Sequence, residues 1–439
     1  MAAKQEPIVL QAPSSKSLSH RALLLASLAK GISQLDKVLV SEDILRTREC
    51  LQALGVEIEE NSGVLRVKGK GRDFHFSSLV KLLGGESGTT FRLLAGLLCG
   101  ARGEFLFLPQ GRMQDRPMDG LEEAVQSQGI EFVYLEKPKC PPFILKSKGF
   151  KSPRLEVSLE QSSQYFSGLI LGALLADFPL TLEVSGKKAL SWPYVGLTLE
   201  VLKHFGGKFK VELKKEGTFT EVDFREVKEI RPGEIRVTIF PQDLQPAFFT
   251  VEGDFSNASY LLSFGAVGHK PVWVRNLKAD SLQGDKFILE VLKRMGAKVE
   301  AKEDGFLVFP SRLKGIEVDL GLCPDLVPTV AVLASLATTP SKISNVAHLR
   351  LKESDRLLAM ATEIAKVGCR VDLKEDGLEI FPQELELAGK EVEFCTYNDH
   401  RVAMSLSLYS LRGLKARFDN PKCVAKSFPD FFQVLAQVL

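Results

Sequence analysis

Five times in this chain an amphipathic stretch ends at a glycine and runs straight into an alternating segment. "ILRTRECLQALGVEIEE" does so at Gly55, "LEEAVQSQGIEFVYLE" at Gly129 and "LEVLKHFGGKFKVEL" at Gly206. "ILEVLKRMGAKVEAKEDGFLVFP" follows at Gly296 and "MATEIAKVGCRVDLKEDGLEIFP" at Gly368. A glycine in that place suits the left-handed residue that closes a helix, and the alternation after it suits a strand. The intervals are 74, 77, 90 and 72 residues. One further step of about 70 residues reaches the C-terminus, where "FPDFFQVLAQVL" supplies a sixth helix.

A second series runs alongside the first. Stretches that are apolar nearly all round, and so predict buried helices, begin near Ser17, Gly88, Ser163, Ser256, Asp325 and Asp399. Their intervals are 71, 75, 93, 69 and 74 residues. The two series agree on six units of about 70 residues, each roughly strand–helix–strand–helix–strand–strand. Both show a long interval between the third and fourth units. That places a boundary between two three-unit lobes, with the excess near Glu212 to Glu252, which includes "IFPQDLQPAFF". A linear solenoid and a compact pair of lobes both satisfy this periodicity.

Composition removes several function classes. With 439 residues, 45% hydrophobic and 26% charged, the chain reads as a soluble globular protein of two or three domains. A net charge of +2 gives no global field for nucleic acid or a membrane surface. Lys4 and Glu6 interrupt any signal peptide, and the apolar run Phe166 to Ala176 is too short to span a bilayer. Seven dispersed cysteines, without a CxxC pair or a His cluster at ligand spacing, predict reduced thiols in the cytoplasm and no zinc site.

The starts of the buried helices are oddly polar: "SSKSLSHR", "GGESGTTFR", "EQSSQYFS", "DFSNASY", "CPDLVPT" and "YNDHR", with "LKESDRLLAMA" and "VAKSFPDFF" on amphipathic helices. Capping accounts for Ser, Thr, Asp and Asn. It does not account for Lys16, Arg21, Lys352, Arg356, Arg401 and Lys426, because cations at a helix N-terminus are disfavoured by about 0.3–1 kcal/mol each. Cations at equivalent places in repeated units, beside the anion-binding N–H groups of helix starts, predict a cleft for polyanionic small molecules. "GGESGTTFR" lacks the P-loop spacing, although Gly88 would let a ligand approach the backbone. In "QGRMQDRPM", Arg112 and Arg116 flank an acid, as in a surface loop or an anion site. Ser162, Ser163 and Gln164 are uncharged donors suited to phosphate or hydroxyl groups. Asp325, after Pro324 and before an apolar helix, suits a cap or a general base. Glu353 lies between Lys352 and Arg356, which would hold it ionised.

Taken together, "SKSLSHR", "GESGTTFRLL", "GRMQDRP", "SSQ", "SWPY", "PD" before a buried helix, "LKESDR", "NDHR" and "KSFPDFF" resemble the signature blocks of the 3-phosphoshikimate 1-carboxyvinyltransferase (EPSP synthase) family. They occur in the family's order from Ser15 to Phe432. The resemblance implies an α/β (α+β) fold of two lobes, each of three βαβαββ units, in an inside-out α/β barrel arrangement. It places residues 1–13 and 245–439 in one lobe and 14–244 in the other, with the active site in the cleft between them. It implies transfer of the enolpyruvyl group of phosphoenolpyruvate to the 5-hydroxyl of 3-phosphoshikimate, without metal or organic cofactor, by a cytoplasmic monomer that binds no nucleic acid or membrane.

The same resemblance assigns roles. Asp325 and Glu353 match the acid–base pair, Asp325 taking the hydroxyl proton and Glu353 supplying one to C3, and Lys16 is the third catalytic residue. Lys16, Ser17, Arg21, Ser162, Ser163, Gln164, Ser191, Tyr194, Asp325 and Lys352 match contacts to 3-phosphoshikimate. Lys16, Gly88, Arg116, Gln164, Arg356, Arg401 and Lys426 match contacts to phosphoenolpyruvate, and His400 assists.

The chain departs from the family pattern at three places. Glu86 stands where many members have Asn and Leu93 where many have Pro, both of which bear on the fit of the inhibitor glyphosate. His348 stands where some members use Asn to contact phosphate. His20 is given a structural role. A sister transferase acts on UDP-N-acetylglucosamine, but it uses a cysteine in the loop around Arg116, and "PQGRMQDRPMDG" has none. A non-enzymatic anion or nucleic-acid binder built from repeats would favour a basic stripe, whereas here the cations come singly beside Ser, Asp or Glu.

Overall fold

The computed structural model describes residues 6–227 and 230–439. In chain order, β1 (Ile8–Gln11) precedes a first repeat of α1 (Lys16–Leu28), β2 (Lys30–Asp36), α2 (Glu42–Ala53), β3 (Glu57–Asn61) and β4 (Val64–Lys70). The second has β5 (Val80–Gly85), α3 (Gly88–Cys99), β6 (Arg102–Pro109), α4 (Asp119–Val125), β7 (Glu131–Tyr134) and β8 (Phe143–Lys148). The third has β9 (Arg154–Ser158), α5 (Ser163–Ala173), β10 (Leu180–Ser185), α6 (Trp192–His204), β11 (Phe209–Lys215), β12 (Thr218–Glu221) and β13 (Ile235–Ile239), and β14 (Phe248–Thr250) follows it.

The fourth repeat comprises α7 (Phe255–Val267), β15 (Val272–Arg275), α8 (Ile288–Arg294), β16 (Val299–Lys302) and β17 (Gly305–Val308). The fifth comprises β18 (Glu317–Asp319), α9 (Val327–Ser335), β19 (Ser341–Ser344), α10 (Arg356–Lys366), β20 (Arg370–Lys374) and β21 (Gly377–Phe381). The sixth comprises β22 (Glu391–Phe394), α11 (His400–Leu406), β23 (Lys415–Phe418) and α12 (Phe431–Ala436).

The chain divides into two compact units. One is Ser15–Val251; the other joins the chain up to Ser14 to Glu252–Leu439. Each repeat pairs its leading strand in parallel with the strand after its buried helix, and in the first five a hairpin then adds antiparallel. Two leading strands are exchanged along the sequence. β14 pairs in parallel with β2 and completes the sheet of the first repeat, and β1 pairs in parallel with β15 and completes that of the fourth. The stretch from residue 245 to Val251 therefore still serves the first repeat's unit, and the chain re-enters the other unit at Glu252.

Two repeats differ from the expected pattern. The third has an additional strand, β12, antiparallel to β11, which accounts for some of its long interval. The sixth has only β22 and β23 in its sheet among the described residues. Gly55, Gly129, Gly206, Gly296 and Gly368 all have positive φ, between 69° and 97°, where a side chain would be strained. The buried helices carry the cores: every residue of α7 and α9 is buried. Ser259 on α7, Thr329 on α9 and Ser405 on α11 share hydroxyl contacts of 3.1 and 3.4 Å, so buried polar groups on these three helices satisfy each other.

Among the described residues no helix is long and apolar enough to cross a membrane. All seven cysteines are free thiols.

Candidate active site

In the unit Ser15–Val251 the site residues lie at helix starts. Ser15, not Ser17, caps α1 by accepting the Leu18 N–H, and Lys16 opens the helix. The Lys16 ammonium lies 3.0 Å from Asp43 in the first turn of α2. Of the three basic residues in "KSLSHR", only Lys16 is in the first turn; His20 and Arg21 are in the second and wholly buried. Helical side chains lean toward the N-terminus, and Arg21 accordingly reaches back to the Ser17 carbonyl at 2.8 Å. It also donates to Thr198 Oγ1 at 2.8 Å and the Tyr194 carbonyl at 2.9 Å. Burial lowers its guanidinium to about 10. These bonds fasten Ser17 to the start of α6, where Ser191 is left-handed at φ 56° and Tyr194 lies in the first turn.

A second cluster depends on three glycines. A Cβ on Gly96 would come within 2.6 Å of the Gly168 Cα, and one on Gly172 within 2.4 Å of the Gly96 carbonyl oxygen. Helices α3 and α5 therefore cross backbone to backbone, which brings their starts together. Ser87 caps α3 and Ser162 caps α5. Gln164 donates to Thr89 Oγ1 at 2.9 Å and accepts from Arg92 at 3.4 Å. Gly88 and Ser163 are the first residues of their helices. Arg116, which follows a 3-10 turn at Gly111–Asp115, packs against the bare Cα of Gly88 and is buried. Arg112 is exposed, and Asp115 pairs instead with Lys137 at 2.9 Å. Glu86 packs against Gly111.

In the unit that contains Glu252–Leu439, the starts of α9, α10 and α11 meet in one ion cluster. Asp325 lies in a 3-10 turn, Pro324–Leu326, just before α9. Its two oxygens accept from Arg356 at 2.8 Å and Arg401 at 2.7 Å, so it is an ion partner rather than a cap. Burial alone would raise its carboxyl, but Arg401, Arg356 and Lys352 outweigh burial and hold it well below the usual carboxylate range. Arg356 opens α10 and is 1% exposed; it also bonds Glu353 at 2.7 Å and Asp399 at 2.8 Å. Burial would lower it, but its three carboxylate partners keep it charged and raise its pKa. Asp399 caps α11 by accepting the Arg401 N–H and also accepts from Ser354. Lys426 ends a 3-10 turn and donates to the Asn398 carbonyl at 3.0 Å. Two successive left-handed residues, Tyr397 and Asn398, present that carbonyl.

Several members were not anticipated as site residues. Asp399 was visible only as a helix start, and Asp43, in the first turn of α2, was not singled out. Asp285, in "SLQGDKF", carried no signal. It is buried, accepts from the Ser256 hydroxyl, and is pushed up to about 7 by burial and then by the charge of Asp325. His348 and His400 are both buried, the latter with Nδ1 3.9 Å from Asp399. Leu93 is buried on α3. Among the described residues no group of three His, Cys, Asp or Glu side chains is arranged to hold a metal ion. The carboxylates among guanidinium groups in one unit can bind anionic groups and exchange protons with them, and the hydroxyl and amide donors at the helix starts of the other can bind phosphate and carboxylate groups.

Comparison with known proteins agrees with that chemistry. The sequence profile of the EPSP synthase (3-phosphoshikimate 1-carboxyvinyltransferase) family matches residues 3–435. The chain is 37% identical to the 3-phosphoshikimate 1-carboxyvinyltransferase of Actinobacillus pleuropneumoniae serotype 5b (strain L20), covering 96% of this chain and 94% of that one. It is 36% identical to the enzyme of the same description from Vibrio vulnificus (strain YJ016), covering 97% and 95%. Its fold is similar to that of EPSP synthase from Acinetobacter baumannii, with a TM-score of 0.75, 24% identity and coverage of 99% and 96%.

Proposed function

The chain belongs to the EPSP synthase family, and from that premise we propose how its residues carry the reaction. The protein transfers the enolpyruvyl group of phosphoenolpyruvate to the 5-hydroxyl of 3-phosphoshikimate, giving 5-enolpyruvylshikimate 3-phosphate and phosphate on the way to chorismate and the aromatic amino acids. The observation that carries the residue assignment is Asp325 held between Arg356 and Arg401.

Asp325 is the base. It takes the 5-hydroxyl proton as that oxygen attacks C2 of phosphoenolpyruvate, while Glu353 delivers a proton to C3. The tetrahedral intermediate then collapses with loss of phosphate. A carboxylate held far below its usual pKa is a weak base, and the cluster offers a remedy. Phosphoenolpyruvate is anionic and competes with Asp325 for Arg356 and Arg401. As it draws them away, Asp325 loses the charges that depress it and becomes more basic as the substrates arrive. His400, beside Asp399, assists.

Lys16, Gly88, Arg116, Gln164, Arg356, Arg401 and Lys426 hold phosphoenolpyruvate and stabilise the charge that develops on it. Lys16, Ser17, Arg21, Ser162, Ser163, Gln164, Ser191, Tyr194, Asp325 and Lys352 hold 3-phosphoshikimate. The proton transfers and charge stabilisation draw on side chains alone, without metal or organic cofactor. We place the protein in the cytoplasm as a monomer with small-molecule partners only.

The test is phosphate release from phosphoenolpyruvate, measured in parallel with 3-phosphoshikimate and with UDP-N-acetylglucosamine as acceptor. Release with the former alone is expected. Release with neither would sink the reading, and release with the latter alone would move the protein to the sister reaction.

A further inference from the structure

Four side chains that the reaction above does not use form one buried string across the first three helices. His20 Nδ1 on α1 lies 2.8 Å from Thr47 Oγ1 on α2. Thr47 Oγ1 lies 2.7 Å from Thr90 Oγ1 on α3, which in turn lies 2.8 Å from Ser87 Oγ. None of the four is more than 1% exposed. The string borders the site at two points. Thr90 Oγ1 is 3.3 Å from the carbonyl of Asp43, the partner of Lys16, and Ser87 caps α3 directly before Gly88.

The direction of the string follows from its first member. Burial, and then the charges of Lys16 and Arg21, hold the His20 ring well below its usual range, so it is neutral and carries one proton. On Nε2 that proton would be a buried donor with no hydrogen-bond partner among the described residues. On Nδ1 it leaves Nε2 as a bare lone pair, a smaller penalty than a stranded N–H. Nδ1–H therefore donates to Thr47. The single Thr90 proton has two acceptors beside it, the Asp43 carbonyl at 3.3 Å and Ser87 Oγ at 2.8 Å, and goes to the nearer, so Thr90 donates to Ser87 and Thr47 to Thr90. Ser87 Oγ also accepts the Thr90 N–H at 3.2 Å. Its acceptor capacity is filled, and its own proton is the free end of the string.

We propose that His20 is a positioning residue for the phosphoenolpyruvate site, orienting Thr47, Thr90 and Ser87 so that the Ser87 hydroxyl is fixed as a donor at the turn that carries Gly88. The proposal rests on the reading of Gly88 as a phosphoenolpyruvate contact.

His20→Leu and Thr47→Val break the string. His20→Asn keeps it, because an Asn amide nitrogen takes the place of Nδ1. Steady-state kinetics with each substrate, together with thermal unfolding, supply the readout. His20→Leu and Thr47→Val are expected to raise KM for phosphoenolpyruvate about tenfold, with KM for 3-phosphoshikimate changed less than about twofold. His20→Asn is expected to stay within about threefold of the unsubstituted protein. The proposal is overturned if unfolding temperature drops while both KM values stand, if both KM values rise together, or if His20→Asn behaves as His20→Leu. Should His20→Leu not fold, Thr47→Val, which keeps the side chain's shape, decides the matter alone. Gly88→Ala is run alongside. If it leaves KM for phosphoenolpyruvate unchanged, the reading of Gly88 fails; if it raises that KM while His20→Leu and Thr47→Val do not, the string fails.

Discussion

A Cβ on Gly88 would lie 2.4 Å from Nη1 of Arg116 and 2.6 Å from its Cζ, closer than unbonded atoms approach. The guanidinium thus occupies the space that glycine leaves. The obstructing atoms are the tip of a flexible side chain, so an added methyl would displace them without forcing helices apart. Gly88→Ala is therefore expected to raise KM for phosphoenolpyruvate about tenfold or more, with the unfolding temperature lowered by less than about 3 °C. A large drop in stability with unchanged KM would show that the contact matters only for folding.

Gly168 presents the opposite case. A Cβ there would meet the carbonyl oxygens of Arg92 at 2.7 Å and Leu93 at 3.0 Å, which are main-chain atoms of α3. Relief requires α3 and α5 to separate. Gly168→Ala should destabilise the protein by about 1–3 kcal/mol, seen as a lower urea midpoint. It should also weaken the Gln164–Thr89 bond, because that bond depends on the close crossing. An unchanged urea midpoint would mean that the crossing relaxes without cost.

These glycines show what the sequence could and could not disclose. The closing glycines at Gly55, Gly129, Gly206, Gly296 and Gly368 were legible because each sits between two periodicities, one of helix and one of strand. Gly96, Gly168 and Gly172 were not, because a glycine inside an apolar helix signals only lost propensity until its neighbour is known. The placement of β14 was hidden for a similar reason: a three-residue strand such as Phe248–Thr250 carries no period, and its partner β2 is far away in sequence. Among the site residues, cations at helix starts were visible as anomalies against the helix dipole. Their acidic partners Asp43 and Asp399 were not, because an acid in a first turn or a cap is what any helix prefers.

Asp325 neutralises two guanidinium groups at once, at 2.8 and 2.7 Å. As the proposed base, its loss should reach turnover far more than binding. Asp325→Ala is expected to lower kcat by about 10²–10⁴-fold, with a modest change in the affinity for 3-phosphoshikimate measured by calorimetry. Near-normal turnover would remove Asp325 from the base role. The change also leaves Arg356 and Arg401 without one partner each, so a loss of stability is expected too. The kinetic comparison should therefore be made well below the variant's unfolding temperature.

Asp285 supplies a prediction of opposite sign to that of most native carboxylates. Burial and the charge of Asp325 raise it to about 7, against the pull of Arg401 and the Ser256 hydrogen bond, and Asp254 adds to the rise. In the unfolded chain a carboxyl of this kind titrates near about 3.9. Between those values the folded protein holds a proton that the unfolded chain has lost. The contribution of this group to stability is therefore whole below about pH 4 and declines as the pH rises toward neutrality. Asp285→Asn cannot ionise, yet it keeps an oxygen to accept from Ser256. The two proteins should differ least in unfolding temperature near about pH 4, and the variant should gain on the parent as the pH approaches about 8. A difference that stays constant across this range would mean that Asp285 is ionised throughout. In an Asp325→Asn background the gain should shrink, because one of the charges that raise Asp285 is gone. If it does not shrink, burial alone sets the titration of Asp285, and its coupling to the proposed base is absent.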